Sequence, residues 1–161
     1  MSLGERMTAA SNRFFGRVRH PQALRAAAQP GTAAGLEAFA RAKYALLTTF
    51  RRDGTPVPTP VWFGIADGKL YARSEASVGK VKRIRADAHA RVAPCTVRGK
   101  PLGPATEATA RVLDAAEAQH AEAALQANYG LGRRIYESGG ERLGIDTVYL
   151  EIVPTSPGEA P

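Results

Sequence analysis

Apolar positions along the chain change their spacing several times, and each change marks an element. Leu36, Phe39 and Ala40, closing at Lys43, are spaced as on a two-turn amphipathic helix. Tyr44 to Phe50 (YALLTTF) is rich in β-formers and stops at Arg51-Arg52-Asp53-Gly54, where Asp-Gly signals a tight turn. Val57 to Ala66 reads as the next strand, closed by a second Asp-Gly at Asp67-Gly68, and Lys69 to Ser74 returns beside it. A three-strand antiparallel meander is expected. Val81, Ile84, Arg85 and Ala88 then move the period from two to about 3.6, which predicts a short helix over Val78 to Asp87 with Val81 and Ile84 inward. Ala90 to Val97 and Ala105 to Leu113 read as a further hairpin, joined through Arg98-Gly99-Lys100 and Pro101-Leu102-Gly103-Pro104. Ala115 to Asn128 is an Ala-rich helix with Asp114 at its N-cap and Gly130 past its end. Val148 to Val153 is a last alternating strand, after which comes a Pro/Gly tail.

Six strands interrupted by helices, without a βαβ rhythm, predict an antiparallel barrel with helices at its ends rather than a doubly wound sheet. Residues 1–35 read as a basic arm with a short helix, partly disordered, residues 36–154 as the folded domain and residues 155–161 as a tail. The arm's wealth of Arg and scarcity of acids also fit a transit peptide, and a bacterial N-terminal extension is the preferred reading.

Composition narrows the function classes. The chain's 161 residues suffice for one domain with its own core, and the single Cys95 excludes an internal disulfide framework. His20, His89 and His120 are scattered, so no zinc-type ligand cluster is expected. No apolar run has the length of a membrane span, and the expectation is a soluble, cytoplasmic protein. The formal net charge of +7 invites a nucleic-acid partner, but its distribution argues otherwise. Residues 1–43 carry +5, residues 44–113 carry +7 and residues 114–161 carry −5. Arg outnumbers Lys by 17 to 5, a bias that a GC-rich genome produces unaided. No recognition helix and no aromatic-basic alternation is present.

Two segments carry candidate chemistry. In Ser77-Val78-Gly79-Lys80-Val81-Lys82-Arg83, with Ser77 as the cap, the first helical turn holds cations and no acid, opposed to the helix dipole. A bound anion reverses that penalty, and free N–H groups beside a Gly and a Lys make a phosphate site. A solvated basic face is the alternative. Arg73 ends the preceding strand, where a second cation is able to converge. In the second segment, Thr55 to Phe63, Pro56, Pro58 and Pro60 delete alternate ladder donors, so this strand has an open edge. That edge leaves backbone groups of Val57, Thr59, Val61 and Trp62 for a flat heteroaromatic ligand, or simply protects against aggregation. Trp62 and Phe63 read as core. Pro94-Cys95 is another donor-free bulge signal, and Cys95, with no base beside it, reads as a buried inert thiol. No hydrolase or kinase constellation is recognisable.

AKYALLTTFRRDGTPVPTPVWF, KLYARSEASVGKVKRIRADAHARVAPC and RGKPLGPATEATARVL, in this order and spacing, resemble the pyridoxamine-phosphate-oxidase-like split-barrel proteins. The resemblance is to the actinobacterial branch that uses the deazaflavin coenzyme F420. It implies a mainly β (α+β), six-stranded antiparallel split β-barrel with flanking helices, forming a homodimer with cofactor at the subunit interface. It further implies hydride transfer from reduced F420 to a small unsaturated acceptor, with an FMN enzyme or a non-catalytic binder as alternatives. Carried onto this chain, Val57, Thr59, Pro60, Val61 and Trp62 line the tricyclic ring. Ser77, Val78, Gly79 and above all Lys80 hold the phosphate, Arg73 and Ser74 assist, and Lys82 and Arg83 meet the acidic tail. Pro94 and Cys95 complete the implied cofactor-binding set. Flavoenzyme members place an Arg just before the matching Lys. Gly79 stands there instead, which argues against a mononucleotide flavin.

Overall fold

The computed structural model describes residues 19–32, 35–128 and 146–155. Seven strands form one antiparallel sheet: β1 (Tyr44–Phe50), β2 (Pro56–Trp62), β3 (Gly64–Ala66), β4 (Lys69–Glu75), β5 (His89–Cys95), β6 (Thr106–Val112) and β7 (Thr147–Pro154). Their order is β2-β1-β5-β6-β7-β4-β3. The two edge strands, β2 and β3, are separated in sequence by Phe63 alone. A sheet whose opposite edges are one residue apart must curl round until they meet, and β2 indeed comes into contact with β4. The result is the antiparallel barrel with flanking helices that the pattern predicts, with seven strands instead of six.

The seventh strand arises where the predicted Val57 to Ala66 strand breaks. Phe63 is buried and its carbonyl accepts from Asn128 Nδ2 at 2.6 Å, so a helix side chain replaces the ladder there. The expected meander is corrected accordingly: β1 pairs with β2, but β4 pairs with β7 and with the short β3. The two Asp-Gly turns form as predicted, with Gly54 at φ 83° and Asp67 and Gly68 at φ 52° and 71°. Two consecutive positive φ values are what a type I′ hairpin demands, and Asp and Gly tolerate them.

Alternate residues of the strands fill one core. Leu47, Val61, Leu70, Val92, Leu150 and Ile152 meet inside the barrel, closed by α2 (Gly79–Ala86; helices are numbered in chain order), which turns Val81 and Ile84 inward as predicted. The expected helix from Leu36 to Lys43 is a single 3₁₀ turn, Leu36–Phe39. Phe39 is drawn into the core edge-on to Phe63, ring centroids 5.6 Å apart, and the chain then extends into β1.

Two further helices lie on the outer face. α1 (Pro21–Ala27) buries Ala23 against Leu46, Ala93 and Cys95. α3, over 118–128, sets Ala121 and Ala124 against Tyr71 and Leu113. Asp114 caps the approach to α3 as expected: Glu117 N donates to Asp114 Oδ1 at 3.0 Å and Asp114 N donates to Glu117 Oε2 at 3.3 Å, a reciprocal capping box. The predicted stop at Gly130, the tail from Ser156 onward and the arm before Arg19 lie outside the described residues.

Candidate functional site

The cap of α2 differs from the expected one. Val78 is the N-cap and its apolar side chain makes no capping hydrogen bond, while Ser77 Oγ donates to Glu75 Oε1 at 2.5 Å. No acid occupies the first turn of α2, and no side chain caps its first N–H groups. Lys80 is half-buried, and among the described residues no acceptor is hydrogen-bonded to its ammonium. Desolvation, then the positive charge of Arg83, push Lys80 down to about 8, and Glu75 opposes this only in part. A lysine in that state is stabilised by any anion that reaches it.

Arg83 lies one turn along. Its Nε donates to Thr49 Oγ1 at 2.7 Å, and its guanidinium folds back over the helix start. A Cβ on Gly79 would stand 2.8 Å from Arg83 Nη1, so glycine makes room for that guanidinium. Desolvation lowers the pKa of Arg83, and the neighbouring charges of Arg51 and Arg19 lower it further. Arg19 is itself depressed by burial, and its Nε is buried without a hydrogen-bond partner. Neither Arg19 nor Arg51 stands out in the sequence. Each lies far from α2 along the chain, and only the fold brings their charges together.

The same contact joins the two candidate segments. Thr49 is the register partner of Val57, and residues directly opposite share a face, so Val57 and Thr59 of β2 look inward beside the Thr49 hydroxyl that holds Arg83. β2 is an edge strand, as its prolines predict, but the ladder runs differently from the expectation. Pro56, Pro58 and Pro60 cannot donate, so the hydrogen bonds to β1 must pass through Val57, Thr59 and Val61. What the outer edge presents is the carbonyls of the three prolines. Val61 is buried in the core, and Phe63 with it, whereas Trp62 is half-exposed and tilted against Tyr44 at 6.4 Å.

Other candidates stand apart. Arg73 Nη2 donates to Thr147 Oγ1 at 3.3 Å on β7, and buried Ser74 donates to the Glu75 carbonyl at 3.3 Å. Lys82 is exposed. Pro94 makes no bulge: β5 pairs evenly with β1 through Ala45↔Pro94. Its missing donor faces the side where β6 has ended, and its carbonyl accepts from Leu102 N at 2.8 Å. Cys95 lies beneath α1, and burial pushes its thiol up to about 12. It is the inert thiol that the sequence suggests.

Solved structures share this fold. The heme storage protein of Vibrio cholerae matches with a TM-score of 0.56 at 12% identity, over 73% of this chain and 84% of its own. A conserved hypothetical protein of Mycobacterium tuberculosis matches with 0.55 at 17% identity, over 78% and 86%. An FAD-binding protein of Mesorhizobium loti matches with 0.53 at 15% identity, over 74% and 84%. At such identities the likeness establishes the fold alone. No family model and no curated protein matches the chain.

Proposed function

We propose that this protein binds a phosphate-bearing redox cofactor of the flavin type, coenzyme F420 before FMN, and acts as a reductase on a small unsaturated acceptor. The observation that carries the reading is the α2 start: Lys80 without a hydrogen-bond partner among the described residues, a glycine at Gly79, Arg83 folded over it and no acid in the turn. These residues fit a phosphate, because its charge removes the desolvation penalty of Lys80 and satisfies N–H groups that nothing caps. An FAD-binding protein with the same fold gives the reading support.

Lys80 would hold the phosphate as a point charge, Arg83 would add donors beside it, and the inner face of β2 at Val57 and Thr59 would lie along the ring. The cofactor, when bound, supplies hydride chemistry, while the chain binds, orients and excludes water. Such positioning contributes to rate without a dedicated acid or base. A homodimer with the cofactor at the subunit interface, in the cytoplasm, is part of the proposal.

Fluorescence titration with F420 and absorption spectra of the purified protein test it. A bound deazaflavin and turnover of enones or quinones by its reduced form are expected. Binding without turnover would leave a carrier, and FMN retained in preference to F420 would overturn the choice of ring.

A further inference from the structure

Arg83 is held by a neutral group. Its Nε donates at 2.7 Å to Oγ1 of Thr49, a buried residue of β1. Two other arginines of the barrel give the same atom to a carboxylate: Arg91 Nε donates to Glu107 at 2.7 Å and Arg111 Nε to Glu151 at 2.9 Å. Among the described residues no carboxylate lies within ion-pair distance of Arg83. A carboxylate orients a guanidinium and neutralises it, whereas a hydroxyl orients it and leaves its charge available.

The other side of the guanidinium is set by Gly79. A Cβ there would stand 2.8 Å from Arg83 Nη1, 3.6 Å from Cζ and 3.8 Å from Nη2, so the group lies against the first residue of α2, next in sequence to Lys80. Because the guanidinium is a rigid plane, fixing Nε also fixes both Nη groups. With Nε occupied by Thr49, the donors left for a ligand are those on Nη1 and Nη2. The anchor belongs to the barrel wall rather than to a loop, since α2 packs on β1 and Thr49 is in register with Val57 of β2.

We infer that Thr49 is a positioning residue for the anion: its buried hydroxyl sets the Arg83 guanidinium against Gly79 in advance, with both Nη groups ready for an oxyanion. This rests on the reading of α2 as a phosphate site. An arginine that is ordered only on binding loses rotamer freedom at that moment; one already fixed does not, and the difference appears as affinity.

Calorimetric titration of the full chain with inorganic phosphate tests the inference. Thr49→Val, which keeps the β-branched shape and removes the acceptor, is expected to weaken phosphate binding about five-fold, the worth of ordering one long side chain. Thr49→Ser, which restores the hydroxyl, recovers most of that loss. Arg83→Gln weakens phosphate about ten-fold, and in that background Thr49→Val has no additional effect. A Thr49 that only supports the fold would lower affinity by the same factor in both backgrounds; that result, or unchanged affinity in Thr49→Val, overturns the inference. Gly79→Ala serves where Thr49→Val fails to fold, because it leaves β1 intact and displaces only the flexible end of Arg83. It is expected to weaken phosphate in the native background and not in Arg83→Gln, and equal weakening in both overturns the inference. If Lys80→Ala loses phosphate while Thr49→Val does not, the site stands without Thr49. If neither Lys80→Ala nor Arg83→Gln changes phosphate affinity, the α2 site itself fails.

Discussion

A half-buried lysine ammonium with no hydrogen-bond acceptor among the described residues carries an electrostatic cost, and it makes Lys80 the most informative residue to change. Lys80→Ala is expected to weaken cofactor binding by about 1.5 to 3 kcal/mol, the usual worth of a charge-assisted contact, while the protein stays folded. Fluorescence titration measures it, and an unchanged dissociation constant refutes the phosphate assignment. The pH dependence follows from the same residue. Its folded pKa of about 8 lies below the ordinary 10.5, so between those values the unfolded chain binds more protons. The stability of the free protein therefore rises as pH climbs through that window. Ligand affinity moves the opposite way, falling as the ammonium deprotonates above about pH 8, where a phosphate, monoester or diester, is already fully ionised. Titrations from neutral to alkaline pH should show the fall, and Lys80→Arg, which stays charged, should abolish it. Lys80 and Gly79 are legible in the sequence because a cationic first turn opposes the helix dipole, a local argument. Ser77 does not act as the cap for an equally local reason: Glu75, two residues back, takes its hydroxyl. Arg19 and Arg51 left no signal, because an isolated arginine in a polar stretch looks the same whether it ends in solvent or against another cation.

Elements come apart and join at places set by close approach. A Cβ at Gly64 would stand 2.2 Å from the Ala124 carbonyl oxygen, a backbone atom of α3 that no rotamer change can move aside. Gly64→Ala should therefore destabilise the fold by about 1 to 3 kcal/mol, the scale of overpacking, visible as a lower denaturation midpoint. A native midpoint would mean that α3 does not seat on β3. Glu107 joins elements rather than dividing them. Burial raises the pKa of its carboxyl, but hydrogen bonds from His89, Arg91 and Gly31 outweigh this and hold it below the usual value. Its contribution is thus present above the ordinary carboxylate range and lost as pH falls through the depressed value. Glu107→Ala should loosen the segment from Ala27 to Thr32, measured as faster amide exchange at Gly31 and Thr32. Strand positions were readable from β-formers and Asp-Gly turns. The division of the predicted Val57 to Ala66 strand was not, since its cause, Asn128 at the Phe63 carbonyl, lies 65 residues away in the sequence.

At the scale of the molecule, one residue between opposite sheet edges forces closure, and α2 packs on β1 and β6 of the closed barrel. The proposed homodimer is a property at this scale: light scattering at micromolar concentration should give twice the 17.1 kDa chain mass, and a monomer would refute the shared site. Local pattern determined much by itself. Turn chemistry, the period of α2, the donor-poor edge of β2 and the unfavourable cations at Lys80 all depend on neighbours within a few residues, and the same forces act wherever the segment lies. Only the tertiary structure decided which strands pair, where the predicted strand breaks, that Cys95 lies under α1, and that Thr49 holds Arg83. Those outcomes depend on contacts between segments far apart in sequence, whose partners no local period or propensity specifies.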